Sequence, residues 1–158
     1  MRILGWARQV APLLLALAVT AEEQLPVGAI ARLGPPDSGA AKGVTGIEFS
    51  HDGLTLAAAS ANGHLCLWDL EARQPRWDSS GASRSLTAVF SADGLLVACG
   101  YEDGRVRLYD STTGEETCVL EAHDSPVWHL AFAAGRDRLA SSDSSGAVRV
   151  WDLAAKSS

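Results

Sequence analysis

Three marks recur in one register along the chain. Phe49, Phe90 and Phe132 are spaced 41 and 42 residues apart. Gly63, Gly104 and Gly146 keep the same intervals. So do Trp68, Tyr109 and Trp151, each followed by an aspartate (Asp69, Asp110, Asp152). A unit of this length cannot bury its apolar face alone, so neighbouring units must stack. The repeat therefore decides the architecture before any single residue does.

Each unit reads as short strands joined by turns. Residues 44–49, 86–90 and the stretch ending at Phe132 give a first strand. Thr55–Ala59, Leu96–Gly100 and Arg138–Ser142 give a second, and Leu65–Trp68, Val106–Tyr109 and Val148–Trp151 a third. Looser outer strands are expected at 75–78 and 117–121. Asp52-Gly53 and Asp93-Gly94 are hairpin turns, because glycine takes positive φ at little cost. Ala133-Ala134-Gly135-Arg136-Asp137 breaks that turn in the third unit. Alternation within the third strands, with Val106 and Leu108 on one face and Arg107 and Tyr109 on the other, marks β structure. The expected fold is all-β: a partial propeller of about three four-stranded antiparallel blades, spanning about 44–79, 85–121 and 126–153.

The Trp-Asp ends, the Phe-Ser-x-Asp-Gly turns and the Leu139-Ala140-Ser141 stretch resemble the WD-repeat β-propeller family over residues 43–153. The resemblance implies a hydrogen-bond network within each blade: His before the first strand, Ser or Thr in the second, Asp in the next turn, Trp in the third. The third unit supplies His123, Ser141 and Trp151, with Ser145 at the Asp position. The second has Asp103, but Gly81, Cys99 and Tyr109 replace the other members. The first has Trp68, with Ala40, Ala58 and Asn62 elsewhere. On this reading no blade keeps the whole set.

Residues 1–21 stand apart. Arg2 and Arg8 precede a short run from Val10 to Val19, apolar except for Pro12, and Val19-Thr20-Ala21 places small residues at −3 and −1. This is a secretory signal pattern, with cleavage expected after Ala21. The run is too short to span a bilayer, which takes about 20 residues. The protein is thus expected to be exported to the periplasm, cell envelope or exterior. Only two of 13 cationic residues are lysine, which suggests a GC-rich bacterial source. Residues 22–43 form a lead-in, with one weak strand at 29–33 able to complete a blade.

Charge and motifs narrow the function. A net charge of −6 lacks the basic footprint that nucleic acid needs. His51, His64, His123 and His129 fall on separate elements, so no metal-ligand spacing appears. No Gly-x-Ser-x-Gly elbow or phosphate loop is present. The run 141–146 resembles the Asp-box of sialidase propellers, with its Gly one residue late. Asp69 to Trp77 and Asp110 to Gly114 each resemble half of the Asp-x-x-Thr-Gly…Trp pattern of quinoprotein propellers. That likeness carries the alternative of a quinone-dependent enzyme. Cys66, Cys99 and Cys118 read as small buried hydrophobes, with one disulfide left open.

The expectation is a non-catalytic platform for a protein or peptide partner, with no cofactor. The candidate contacts are Ser125, Trp128, Tyr101, Glu102 and Asp103, at the turns after the second strands and the entries to the first. Trp128 leads the set because aromatic anchors dominate binding energy. Three blades do not close a ring of the usual four to eight. Closure is expected from self-association or from further blades. An incomplete propeller with no independent function is the remaining alternative.

Overall fold

The computed structural model describes residues 43–81, 83–134 and 137–156, together with Val27 and Ala29. The signal segment and, Ala29 apart, the expected strand at 29–33 lie outside the described residues.

Eleven strands form three antiparallel sheets among the described residues. The first sheet runs β1 (Val44–Phe49), β2 (Thr55–Ser60), β3 (His64–Asp69) and β4 (Gln74–Ser80) in simple order. The second repeats this with β5 (Ser85–Phe90), β6 (Leu96–Tyr101), β7 (Arg105–Asp110) and β8 (Glu116–Glu121). The third has β9 (Val127–Phe132), β10 (Arg138–Asp143) and β11 (Val148–Asp152), followed by a single 3-10 turn at Ala154–Lys156. The sheets are the expected blades, but the third shows three strands rather than four among the described residues. The first strands lie side by side, β1 against β5 and β5 against β9.

The Asp-Gly turns show why those residues recur. Ser50 Oγ donates to Asp52 Oδ1 at 2.6 Å, and the Leu54 N–H donates to the same oxygen at 2.9 Å. Ser91, Asp93 and Leu95 repeat the pattern at 2.6 and 3.1 Å. Gly53 and Gly94 both sit at φ +72°, in the left-handed region where a side chain is strained.

Two apolar seams hold the blades together. Strand alternation sends successive residues to opposite faces, so the second blade feeds both seams. Ala57, Ala59, Leu65 and Leu67 of the first blade meet Ala88, Val97, Cys99, Tyr101 and Tyr109 of the second. The opposite face of the second blade (Ala98, Val106, Leu108, Leu120) packs on Val127, Leu130 and Leu139 of the third. Burying a Leu or Val side chain contributes about 1.5–3 kcal/mol, so these seams outweigh any single turn.

A further clasp closes the outer edge of the first seam. Trp77, on β4, sends its Nε1–H to the Ser111 carbonyl at 2.9 Å. Its ring lies 5.9 Å from that of Tyr109, and a Cβ on Gly114 would stand 2.8 Å from it. The two half-patterns noted in the sequence, one ending at Trp77 and the other at Thr113-Gly114, therefore meet across two blades as a packing contact.

Candidate functional site

The third blade carries the polar set most completely. His123 lies in the loop before β9, and its Nε2 is 2.8 Å from Ser141 Oγ on β10. Trp151, on β11, donates its indole N–H to the same oxygen at 2.9 Å. On the far side of the ring, His123 Nδ1 stands 3.1 Å from Asp143 Oδ2, a close polar contact rather than an aligned hydrogen bond. Asp143 Oδ1 accepts from Ser145 Oγ at 2.6 Å, from the Ser145 N–H at 2.9 Å and from the Ala147 N–H at 3.0 Å. The Ser145 hydroxyl first, then these amides and His123, hold the Asp143 carboxyl below the usual range.

This corrects the sequence reading. Ser145 does stand at the turn position, but Asp143, two residues earlier, provides the missing carboxylate. The blade has its histidine, hydroxyl, carboxylate and indole after all. Ser141, His123 and Asp143 also lie in the order of a nucleophile, base and orienting acid. Catalysis does not follow, because Ser141 is 1% exposed and its oxygen already accepts from Trp151.

The second blade solves the same space differently. Gly81 leaves room where a histidine would stand, and a Cβ there would meet Tyr101 Cε1 at 2.7 Å. Tyr101 fills that room. Its hydroxyl lies 3.0 Å from the hydroxyl of Tyr109, which replaces the indole. Burial raises the pKa of both phenols, so both stay neutral donors. Cys99 takes the place of Ser141, and burial pushes its thiol up to about 12. Tyr101 was expected at the partner surface; it is instead fully buried and belongs to the core. Asp103 was expected in the polar set, yet it accepts from the Arg105 N–H at 3.1 Å and serves the turn.

In the first blade Ala58 offers no hydroxyl to Trp68, which is half-buried on β3. Ser60 there reaches Asn62, and its backbone bonds Ser85 of the next blade in both directions, at 2.9 and 2.7 Å. Ser60, Tyr101 and Asp143 thus form one column, spaced 41 and 42 residues apart. Each stands at the last position of its second strand, one residue beyond the end that the repeat predicts. All three cysteines are free thiols.

The remaining candidate contacts gather at the entry to β9. Trp128 is 55% exposed. Pairing between β9 and β10 shifts there, so Trp128 is an extra, bulged residue. Thr45 and Leu86 are bulged at the matching places on β1 and β5. A bulge re-aims its side chain away from the sheet faces, and such kinks concentrate beside functional sites. Glu102 and Asp103 are exposed in the neighbouring turn, while Ser125 is half-buried. That turn packs on the loop before β9: a Cβ on Gly104 would fall 2.0 Å from the His123 carbonyl and 3.3 Å from that of Ser125. Among the described residues no group of three or more His, Cys, Asp or Glu gathers to hold a metal, and no helix is long and apolar enough to cross a membrane.

Known proteins share this pattern. The family model "WD domain, G-beta repeat" matches residues 36–69, 76–110 and 114–152. The meiotic recombination protein rec14 of Schizosaccharomyces pombe is 30% identical over 107 residues, 66% of this chain and 35% of that protein. The target of rapamycin complex subunit wat1 of the same yeast is 34% identical over 99 residues, 61% of this chain and 31% of that protein. Among solved structures, that of U3-55K superposes with a TM-score of 0.68 at 20% identity, covering 71% of this chain and 36% of that one. This chain spans about a third of these relatives. Three matched repeats and three stacked antiparallel blades agree: the chain belongs to the WD domain, G-beta repeat family.

Proposed function

We propose that the chain is a non-catalytic platform that binds a protein or peptide partner at the entry to β9. The observation that carries this reading is Trp128, a bulged tryptophan more than half exposed on a rigid blade. A large aromatic held on a stiff strand loses little entropy on binding and contributes heavily to affinity. Glu102 and Asp103, exposed in the adjoining turn, give the rim an acidic character suited to a basic or amide-rich segment. Ser125 adds a hydroxyl at the same edge. Family membership supports a scaffold role.

The test is selection of displayed peptides on the full chain, followed by binding of the enriched peptide to Trp128→Ala. Circular dichroism checks that the variant keeps its fold. Loss of about tenfold or more in affinity supports the reading. Unchanged affinity in a folded variant removes Trp128 from the site.

Residues 1–21 are proposed to direct export, with cleavage after Ala21. N-terminal sequencing of the protein recovered from its source tests this, and an intact Met1 or a different cut contradicts it. The relatives described above are from yeast and lend the bacterial reading no support. The likeness to quinoprotein propellers rests on a packing contact, Trp77 on Ser111 and Gly114, and quinone binding by the folded chain tests that alternative.

A further inference from the structure

Asn62 is the single asparagine of the chain, and Gly63 follows it. An Asn-Gly pair makes a tight turn, and it is also among the least durable dipeptides in a protein. With no side chain on the glycine, its backbone nitrogen reaches the asparagine carboxamide unhindered. The nitrogen gives up its proton and bonds to Cγ, the Cγ–Nδ2 bond breaks, and ammonia leaves. Water then opens the cyclic imide. Entry at Cγ gives aspartate. Entry at the backbone carbonyl of residue 62 gives isoaspartate, in which the main chain runs through the former side chain.

The fold holds this turn against that reaction. Asn62 is exposed, but Gly63 is buried at φ +89°. The Gly63 N–H donates to the Ser60 carbonyl at 3.0 Å, so the attacking atom is already engaged. Asn62 Oδ1 accepts from Ser60 Oγ. A Cβ on Gly63 would meet the carbonyls of Ser83 and Gly81 at 2.6 and 2.8 Å, so the turn is pressed against the connection into the second blade. That connection also grips it. The Gly81 N–H donates to the Gly63 carbonyl at 2.9 Å. Ser85 Oγ accepts the Ser60 N–H at 2.9 Å and lies 2.7 and 2.9 Å from the Ser60 and His64 carbonyls. Gly53 and Gly94, in the Asp-Gly turns, have nothing within 4 Å, so such a clamp is not a general property of these turns.

We propose that Asn62-Gly63 is a latent self-modification site that records opening of the joint between the first and second blades. While Gly81, Ser83 and Ser85 hold the turn, residue 62 stays asparagine; when they let go, it converts. Local openings of this kind need less free energy than global unfolding. The two products differ in consequence. Aspartate fits, because Asp103 stands at the matching position of the second blade and accepts the Arg105 N–H. Isoaspartate lengthens the main chain of a turn with no spare room, so the joint cannot close as before. Each opening thus carries a chance of irreversible loss.

No partner takes part, so failure of this proposal leaves the platform reading standing. The full chain is incubated in heavy-oxygen water at mildly alkaline pH, without urea and across a urea series. Peptide mapping follows the mass of residue 62, and isoaspartyl methyltransferase labels the isoaspartate. Conversion is expected to be about tenfold slower or more in the folded chain than in the unfolded one, and to climb with urea before the global transition. Ser85→Ala removes the partner that Ser60 shares with the second blade and should speed conversion about tenfold. Ser141→Ala weakens the third blade instead and should leave the rate unchanged. Equal rates in folded and unfolded chains would overturn the proposal, because the joint would then protect nothing. Equal acceleration by the two variants would also overturn it, by tying the reaction to global unfolding. Should Ser85→Ala not fold, the urea series decides alone: a rate that stays flat until the global transition contradicts local opening.

Discussion

The second and third blades answer one structural problem in two ways. The third retains His123, Ser141, Asp143 and Trp151 in one polar, hydrogen-bonded set, and leaves Val148 and Val150 exposed. The second has none of those four residue types at the matching positions, where Gly81, Cys99, Tyr101 and Tyr109 stand, yet both of its faces are buried. It fills the vacated space with Tyr101 and joins that residue to Tyr109. The lesson is that apolar contact with two neighbours carries a blade whose polar set has drifted. A neutral hydrogen bond contributes about 0.5–1.5 kcal/mol net, less than one well-buried aromatic ring.

The largest expected effect falls on the second blade. Tyr101→Ala opens a cavity in the first seam and should cost about 3–5 kcal/mol in urea unfolding. A loss comparable to that of Ser141→Ala would break the comparison. Next come two matched turn variants. Gly146 sits at φ +91° with nothing within 4 Å, so Gly146→Ala should cost only the left-handed strain of about 1–2 kcal/mol. Gly104, at φ +84°, faces the His123 carbonyl, so Gly104→Ala should cost about 1–3 kcal/mol more. Equal costs would mean that the packed turn yields freely.

Ser141→Ala strips His123 and Trp151 of a shared partner and should cost about 1–3 kcal/mol. The smallest effect is one of pH. The Asp143 carboxyl is held low in the folded chain, so its contribution is present above the unfolded value of about 4 and is lost as pH falls through the folded value. Asp143→Asn should flatten the acid limb of a stability profile below about pH 4. An unchanged acid limb would show that the carboxylate is not coupled to folding.

Most of the architecture was legible in the sequence. The strand boundaries read from the repeat differ from β1 to β8, β10 and β11 by two residues at most. The errors share one cause, the ends of the second strands. Ending β6 at Gly100 put Tyr101 in a turn, whereas one more residue of strand sets it on the face of Val97 and Cys99. Ending β10 at Ser142 likewise hid Asp143. The bulge at Trp128 was not readable either, because a register shift depends on the partner strand and leaves no mark of its own. The site is less legible than the fold for this reason: burial in a propeller is decided by the neighbouring blade, which local pattern does not show.

Amide hydrogen exchange on the dilute full chain tests the central claim most directly. If burial between neighbours governs stability, the amides of β6 and β7 exchange slowest, although their blade has lost the polar set. Strands β10 and β11 then open earlier, and β1 with them. Slowest exchange in β10 and β11 would contradict the account, because it would place stability in the hydrogen-bonded set of His123, Ser141 and Trp151 rather than in the seams.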